Sequence, residues 1–327
     1  MHAPKRRRAL AAAAVLAAAA LPAAALAQAG GTARPIRLVV VNPPGGLTDT
    51  VARLLAPRLQ EALGTTIVID NKPGANGGVG AASLAASPAD GTSFLLADGS
   101  LLSVNPLTSR KLAYDPKKDL VPVSLVARAP LFLAVNANVK AQTLEELVAL
   151  AKAQPGRLNY GSSGIGSTHH LTMEALKAEY GLFITHIPFR GSAASVPALL
   201  GGQVDMVFSA YPSLAGFVRS GQVRLLATNA SHRSPLAPQV PAIAEKRPGF
   251  DFAPIVILMA QHGTPPEAMQ RMSEAIARIA RRPDAGEQAQ GAGIEMVGGG
   301  PAELAQALDA EIARMQRVAQ RADLKSE

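Results

Sequence analysis

Pro122 to Val135 is an uncharged stretch except for Arg128, 14 residues long and interrupted by Pro130. That exceeds an ordinary strand, and a proline in the middle of a strand removes a ladder hydrogen bond. The run therefore reads as a strand crossing from one lobe of the molecule to another. Phe252 to Ala260 is a second long apolar run and supplies a return crossing. Two crossings make one lobe discontinuous, and a chain of 327 residues is above the usual size of one domain. The expected division is 28–128 with 252–327 for lobe 1, and 129–251 for lobe 2.

Between these runs, strands and helices alternate. Ile36 to Val41 is a run rich in β-branched residues that stops at Asn42-Pro43-Pro44-Gly45-Gly46. Thr48 or Asp49 is placed to cap the helix that follows, in which Val51, Leu54, Leu55, Leu59 and Leu63 form one apolar face and Pro57 predicts a kink. Thr143-Leu144-Glu145-Glu146 predicts a capping box, and Pro155-Gly156 ends its helix. Strands are expected over 158–161, 184–189, 204–208 and 223–228. A helix opening at Pro265-Pro266, a short strand near Ile294 and a last helix from Ala302 complete the chain. The pattern predicts α/β layers with mostly parallel sheets.

Lys5 and Arg6 to Arg8 precede an uncharged run from Ala9 to Ala24, and Ala25-Leu26-Ala27 fits a secretory cleavage site. Residues 1–27 are expected to be a signal peptide, cut after Ala27, with the rest delivered to the periplasm. An uncleaved anchor is the alternative reading. Four of the 32 basic residues lie in this leader, which leaves 28 against 24 acidic residues and a net charge of +4. The remaining charges are scattered and Trp is absent, which argues against nucleic acid as a partner. Cys is absent too, so disulfides, thiol catalysis and thiolate metal sites are excluded.

Two strand-to-helix turns carry the candidate chemistry. One is Pro43-Pro44-Gly45-Gly46-Leu47-Thr48-Asp49; the other is Gly161-Ser162-Ser163-Gly164-Ile165-Gly166-Ser167-Thr168. Open α/β sheets bind ligands where a strand's C-terminal end meets a helix N-terminus, and the helix dipole there favours an anion. With one turn in each lobe, the pair forms an anion clamp; the plainer reading is that each turn merely caps its helix. Asp49 serves as an N-cap, as a ligand acceptor, or as both. Arg190 either pairs a carboxylate in the cleft or is solvated. Nucleotide motifs fail: there is no G-x-x-x-x-G-K-[ST], and Gly78-x-Gly80-x-x-Ser83 lacks its third Gly. Gly161-Ser162-Ser163-Gly164-Ile165 is not a nucleophile elbow, since Ile165 stands where Gly is needed. His170 and Glu174 lie four apart on a helix, but no third ligand sits at useful spacing, so no metal is expected. No cofactor and no catalytic residue is assigned.

Read in order, several strings are specific together: Pro43-Pro44-Gly45-Gly46 with Asp49, Asn71-Lys72-Pro73-Gly74-Ala75, Tyr114-Asp115-Pro116, Pro155-Gly156-Arg157-Leu158-Asn159-Tyr160-Gly161-Ser162, and Leu199-Leu200-Gly201-Gly202-Gln203-Val204-Asp205. On these the chain resembles the Bug (TctC-like) family, the extracytoplasmic solute receptors of tripartite tricarboxylate transporters, over about Pro35 to Arg321. The resemblance implies a type II periplasmic-binding-protein fold, with two α/β lobes joined by crossing strands and a ligand cleft between them. It implies a small carboxylate ligand, membrane permease subunits as partners, and a monomer. It places ligand contacts at Gly45, Gly46 and Asp49 on one side and at Ser162, Ser163, Gly164, Ser167 and Thr168 on the other. Thr48, Ser100 and Arg190 complete the expected ligand-binding set. Asn42 stands where the family commonly has an aromatic, and Ala97-Asp98-Gly99-Ser100 replaces a hydroxyl-rich turn, so Asp98 adds negative charge near the cleft. A receptor feeding a sensor kinase and, more distantly, a serine hydrolase are the other functional readings.

Overall fold

The structure, a computed structural model, describes residues 34–109, 111–189 and 191–321. The leader, its cleavage point and Arg190 lie outside the described residues. In chain order the strands are β1 (Ile36–Val40), β2 (Ile67–Asn71), β3 (Ser93–Asp98), β4 (Leu120–Arg128), β5 (Leu131–Asn136), β6 (Asn159–Ser162), β7 (Thr185–Pro188), β8 (Met206–Ala210), β9 (Val223–Thr228), β10 (Ile255–Gln261) and β11 (Glu295–Gly299). The helices are α1 (Leu47–Leu63), α2 (Gly78–Ala85), α3 (Ser100–Ser103), α4 (Asn105–Thr108), α5 (Leu144–Ala153), α6 (Thr168–Tyr180), α7 (Ser192–Leu200), α8 (Tyr211–Arg219), α9 (Pro266–Ala280), α10 (Pro283–Gly291) and α11 (Pro301–Arg321).

The strands form two sheets, ordered β11-β4-β10-β3-β1-β2 and β7-β6-β8-β5-β9. Both are mixed, which corrects the expectation of mostly parallel sheets. The pairs β1–β2, β1–β3, β6–β7 and β6–β8 are parallel. By contrast, β10 runs against β3 and β4, β11 against β4, and β5 against β8 and β9. For β5 and β10 the cause is the crossing itself. A strand that enters a sheet from the other lobe starts at the cleft and runs away from it, whereas its neighbours run towards it.

The long apolar run divides where Pro130 stands: β4 ends at Arg128 and β5 begins at Leu131. The ends of β4 and β10 are tied there, with the Ala129 N–H donating to Pro254 O at 2.9 Å. Asn229, fully buried after β9, joins the second crossing to the first. Its Oδ1 accepts from the Leu131 N–H at 2.8 Å and its Nδ2 donates to Phe252 O at 2.8 Å. Its own N–H donates to Leu131 O at 3.0 Å, and its carbonyl accepts from the Phe252 N–H at 2.8 Å. All its principal polar groups are thus committed to the two connections.

Each sheet buries its faces under helices. On α1, Val51, Leu54, Leu55 and Leu59 are buried against Leu38, Val40 and Phe94, at about 1.5–3 kcal/mol per large apolar side chain. The helix continues through Pro57 to Leu63 and ends at Gly64, whose φ of 65° is the left-handed stop that glycine tolerates. Thr143 caps α5 as expected, accepting from the Glu146 N–H at 3.1 Å; the Glu146 carboxylate reaches back to the Gln142 N–H. The last helix serves both cores. Leu304 and Leu308 of α11 join the apolar cluster of the first sheet, while Met315 and Val318 join that of the second.

Between those two halves, Glu311 is buried and its Oε1 accepts from Ser103 Oγ at 2.7 Å. Gly99 is required beside it, because a Cβ there would collide with the Glu311 carboxylate and with Ile255. Burial, aided by Asp98 and Asp251, pushes Glu311 up to about 7, and Arg314 opposes that shift. With the folded value above the ordinary 4.5, its contribution to stability is full below 4.5 and is lost as pH rises through about 7. Glu311→Gln keeps the acceptor for Ser103, so the unfolding midpoint of the variant minus that of the wild type should climb between pH 4.5 and pH 8; a constant difference in thermal melts contradicts this. Asn229→Ala strands the Leu131 N–H and Phe252 carbonyl, and urea unfolding should show a loss of roughly 2–4 kcal/mol. A loss within experimental error would show that these bonds do not hold the crossings.

Candidate ligand cleft

A cleft of about 520 Å³ lies between the two sheets. Its walls are the residues at the C-terminal ends of β1, β3, β6 and β8 and those leading into β5, β10 and β11. Of the expected set, Gly45, Gly46, Ser100, Ser163, Ser167 and Thr168 line it. Another hollow, of about 420 Å³, belongs to the first sheet alone and opens at Ile36, Thr92 and Phe94. Those are the starting ends of parallel strands, the wrong end for ligand binding in an open α/β sheet.

The first wall is the turn from Asn42 to Asp49. Gly46, not Thr48 or Asp49, holds the N-cap position of α1, and it has no side chain to cap with. Asn42 caps in its place, its Oδ1 accepting from the Thr48 N–H at 3.0 Å and from Thr48 Oγ1 at 2.9 Å. Asp49, one residue further in, folds back. Its Oδ2 accepts from the Gly45 N–H at 2.8 Å and from Arg53 Nε at 2.8 Å, and its Oδ1 from Asn71 Nδ2 at 2.9 Å. Thr48 and Asp49 are therefore buried behind the turn and shape it. Gly45 has a φ of 85°, and a Cβ on Gly46 would stand 2.6 Å from that of Asn42. At Gly45 and Gly46 the turn thus presents backbone to the cleft.

The second wall is the loop from Ser162 to Ser167. Gly164 and Gly166 have φ of 128° and 74°, a backbone path that side chains resist. Ser167 caps α6 by accepting from the His170 N–H at 3.2 Å, and its hydroxyl donates to Gly164 O at 2.7 Å. Ser162 is buried: its Oγ lies 2.7 Å from His186 Nε2 and accepts from the Gly164 N–H at 3.1 Å. Ser163 faces the cleft with His169, Oγ to Nδ1 at 2.8 Å. Burial lowers His169 to about 4, so the ring is neutral at neutral pH. Behind this wall, Tyr160, His186 and His170 stack, with centroids 4.7 Å and 4.1 Å apart. The rings hold the loop, with His170 Nδ1 accepting from the Gly166 N–H at 3.0 Å. No three His, Asp or Glu residues among those described converge on a metal position.

Residues 51–324 match the model of the tripartite tricarboxylate transporter family receptor. Protein BugT of Bordetella pertussis is 40% identical over 237 residues, covering 72% of this chain and 73% of that protein. The chain belongs to the tripartite tricarboxylate transporter receptor family. Among solved structures, R. palustris Rpa4515 with adipate is 33% identical, with a TM-score of 0.77 over 90% of this chain and 99% of that one. MatC (Rpa3494) from Rhodopseudomonas palustris with bound malate is 29% identical, with a TM-score of 0.71 over 87% and 99%. The fold is that of these periplasmic solute receptors: two α/β lobes, crossing strands and a cleft between.

In this receptor the cleft also takes Asn42, Asn76, Asp98, His169, Ser209 and Ser213. Asn76 follows the Asn71-Lys72-Pro73-Gly74-Ala75 string and has a φ of 46°, unusual for a residue with a side chain. Its Nδ2 donates to Asn105 Oδ1 at 2.6 Å. Ser209 and Ser213 lie on β8 and α8, where nothing in a strand or helix pattern marks them as lining a cleft. The three carboxyls near the cleft differ sharply. Hydrogen bonding from Arg53, helped by Gly45 and Asn71, lowers Asp49 to about 2 against opposing burial. Burial raises Asp98 and Glu311 instead.

Asp49→Ala removes the carboxylate that accepts from the Gly45 N–H, the Arg53 guanidinium and the Asn71 amide, and should cost about 1–3 kcal/mol at neutral pH. The lowered Asp49 contributes fully above its ordinary 3.8, and that contribution disappears as pH falls towards 2. The gap between wild type and Asp49→Ala in denaturant titrations should therefore narrow across that acid range. Equal stability at neutral pH would rule out this role for Asp49.

Proposed function

We propose that this receptor captures a small carboxylate in the cleft and delivers it to the membrane permease subunits of a tripartite transporter, without catalysing any change in it. The observation that carries the reading is the cleft itself, in which a backbone turn and a hydroxyl-bearing loop from two lobes face one another at the N-termini of α1 and α6. Both elements favour an anion, and among the described residues neither lysine nor arginine lines the cleft. Among the described residues, neutral donors hold the charge. The relatives named with adipate and with malate support the same chemical class.

Gly45, Gly46, Ser100, Ser163 and Thr168 are proposed to meet the ligand or its bridging waters. Thr48, Asp49, Ser162 and Gly164 set the two loops from behind, Ser167 caps α6 at the cleft, and Arg190 is proposed to pair a carboxylate of the ligand. Lobe 1 is assigned to 28–128 with 252–327 and lobe 2 to 129–251, closing on the ligand as a monomer. The leader directs the chain to the periplasm and is removed after Ala27. Against hydrolysis stand the two Ser–His contacts, Ser162–His186 and Ser163–His169, neither of which has a carboxylate hydrogen-bonded to its histidine among the described residues. The buried Ser162 also lacks access to the cleft.

Thermal unfolding of the exported chain against carboxylates and their matched amides tests this. A ligand present at a hundredfold its Kd and binding only the folded state adds about 2.7 kcal/mol. One or a few acids should shift the melt, their amides should not, and model esters should not turn over. Absence of a shift with every acid overturns the carboxylate reading, and ester turnover overturns the non-catalytic one.

A further inference from the structure

We infer that Asp98 is a specificity residue: its uncommitted oxygen binds an ammonium group on the captured acid, so the cleft prefers zwitterionic amino acids to their deaminated counterparts. This rests on the carboxylate reading above and narrows it. Asp98 is the last residue of β3, paired with Val256 of β10, half-buried and part of the cleft lining. Its Oδ1 accepts twice from Ser100, from the N–H at 3.0 Å and from the hydroxyl. Its Oδ2 takes no hydrogen bond from any described residue. A carboxylate fixed by one oxygen leaves the other aimed by its neighbour, a ready acceptor for a charged donor.

The surroundings make that acceptor electronegative. The charged groups that act on the nearby Glu311 are Asp98 and Asp251 on the acidic side and Arg314 on the basic side. Arg128 is held by Asp251 at 3.0 Å. Among the described residues no lysine or arginine lines the cleft, and the one histidine in the lining, His169, is kept neutral by burial. Burial also raises Asp98 with no cation among the opposing causes, so its charged form gains from a cationic partner. One carboxylate of a ligand meets the donors of the two loops. A second carboxylate there opposes the ionised form that burial already disfavours, whereas an ammonium favours that form and completes a charge-assisted bond.

Titration calorimetry on the exported chain settles the choice with paired probes: glutamate against glutarate, aspartate against succinate, norleucine against hexanoate, and adipate alone. At least one amino acid should bind roughly tenfold or more tightly than its deaminated partner, the scale of one charge-assisted hydrogen bond. Asp98→Asn keeps the Oδ1 acceptor for Ser100, so its ligand-free melt should match the wild type while the preference for the amino acid collapses. Tighter binding of adipate, glutarate or succinate than of any amino acid overturns the inference and leaves the carboxylate reading standing. A preference that survives in Asp98→Asn overturns it too, since the ammonium then lies elsewhere. If no acid of either kind binds, both readings fall together.

Discussion

The molecule depends on how two chain connections are held side by side. Asn229 bonds the first through Leu131 and the second through Phe252, using both ends of its side chain and both of its backbone groups. A buried amide with every principal group satisfied fixes the relative path of the two segments, because any shift strands a polar group away from water. The ion pair of Arg128 with Asp251, at 3.0 Å, ties the same two segments a few residues away. From this junction the strands fan into two sheets whose facing ends make the cleft. The antiparallel entries of β5 and β10 and the position of the ligand walls follow from it.

The cleft shows how one residue type acquires different roles from its surroundings. Asp49 is surrounded by donors and stays ionised, bracing a turn of backbone. Glu311 is buried beside other acids at the junction of the two cores and is held in its neutral form to much higher pH. Asp98 differs from both, with one oxygen held by Ser100 and the residue itself in the cleft lining. The first braces a turn, the second lies where α11 meets both cores, and the third is proposed to address the ligand.

Much of the architecture is legible along the chain. The apolar runs, the breaker clusters and the cap at Thr143 locate most strands and the longer helices to within two or three residues, since backbone propensity and burial period are local properties, whereas α3, α4 and α10 are not among the expected elements. The strand over 223–228 coincides with β9. Pro130 marks the division between β4 and β5 because a missing N–H is a local fact as well. Pairing direction is not local. The expectation of mostly parallel sheets took strand–helix alternation as its guide, and the crossing strands reverse half of that rule. Gly45, Gly46, Ser100, Ser163, Ser167 and Thr168 meet around the cleft, whereas Thr48, Asp49 and Ser162 stand behind it.

By itself the sequence determined the class of the fold, the two crossings and the two glycine-bearing turns, because each is written in the spacing of apolar, glycine and proline residues over a few positions. Tertiary structure alone decided what those turns present. Whether a hydroxyl or carboxylate points at a ligand or is spent on its neighbour depends on partners far away in the chain: Asn71 for Asp49, His186 for Ser162, Leu131 and Phe252 for Asn229. A hydrogen-bonding group has few bonds to give, and only the folded neighbourhood determines where they go.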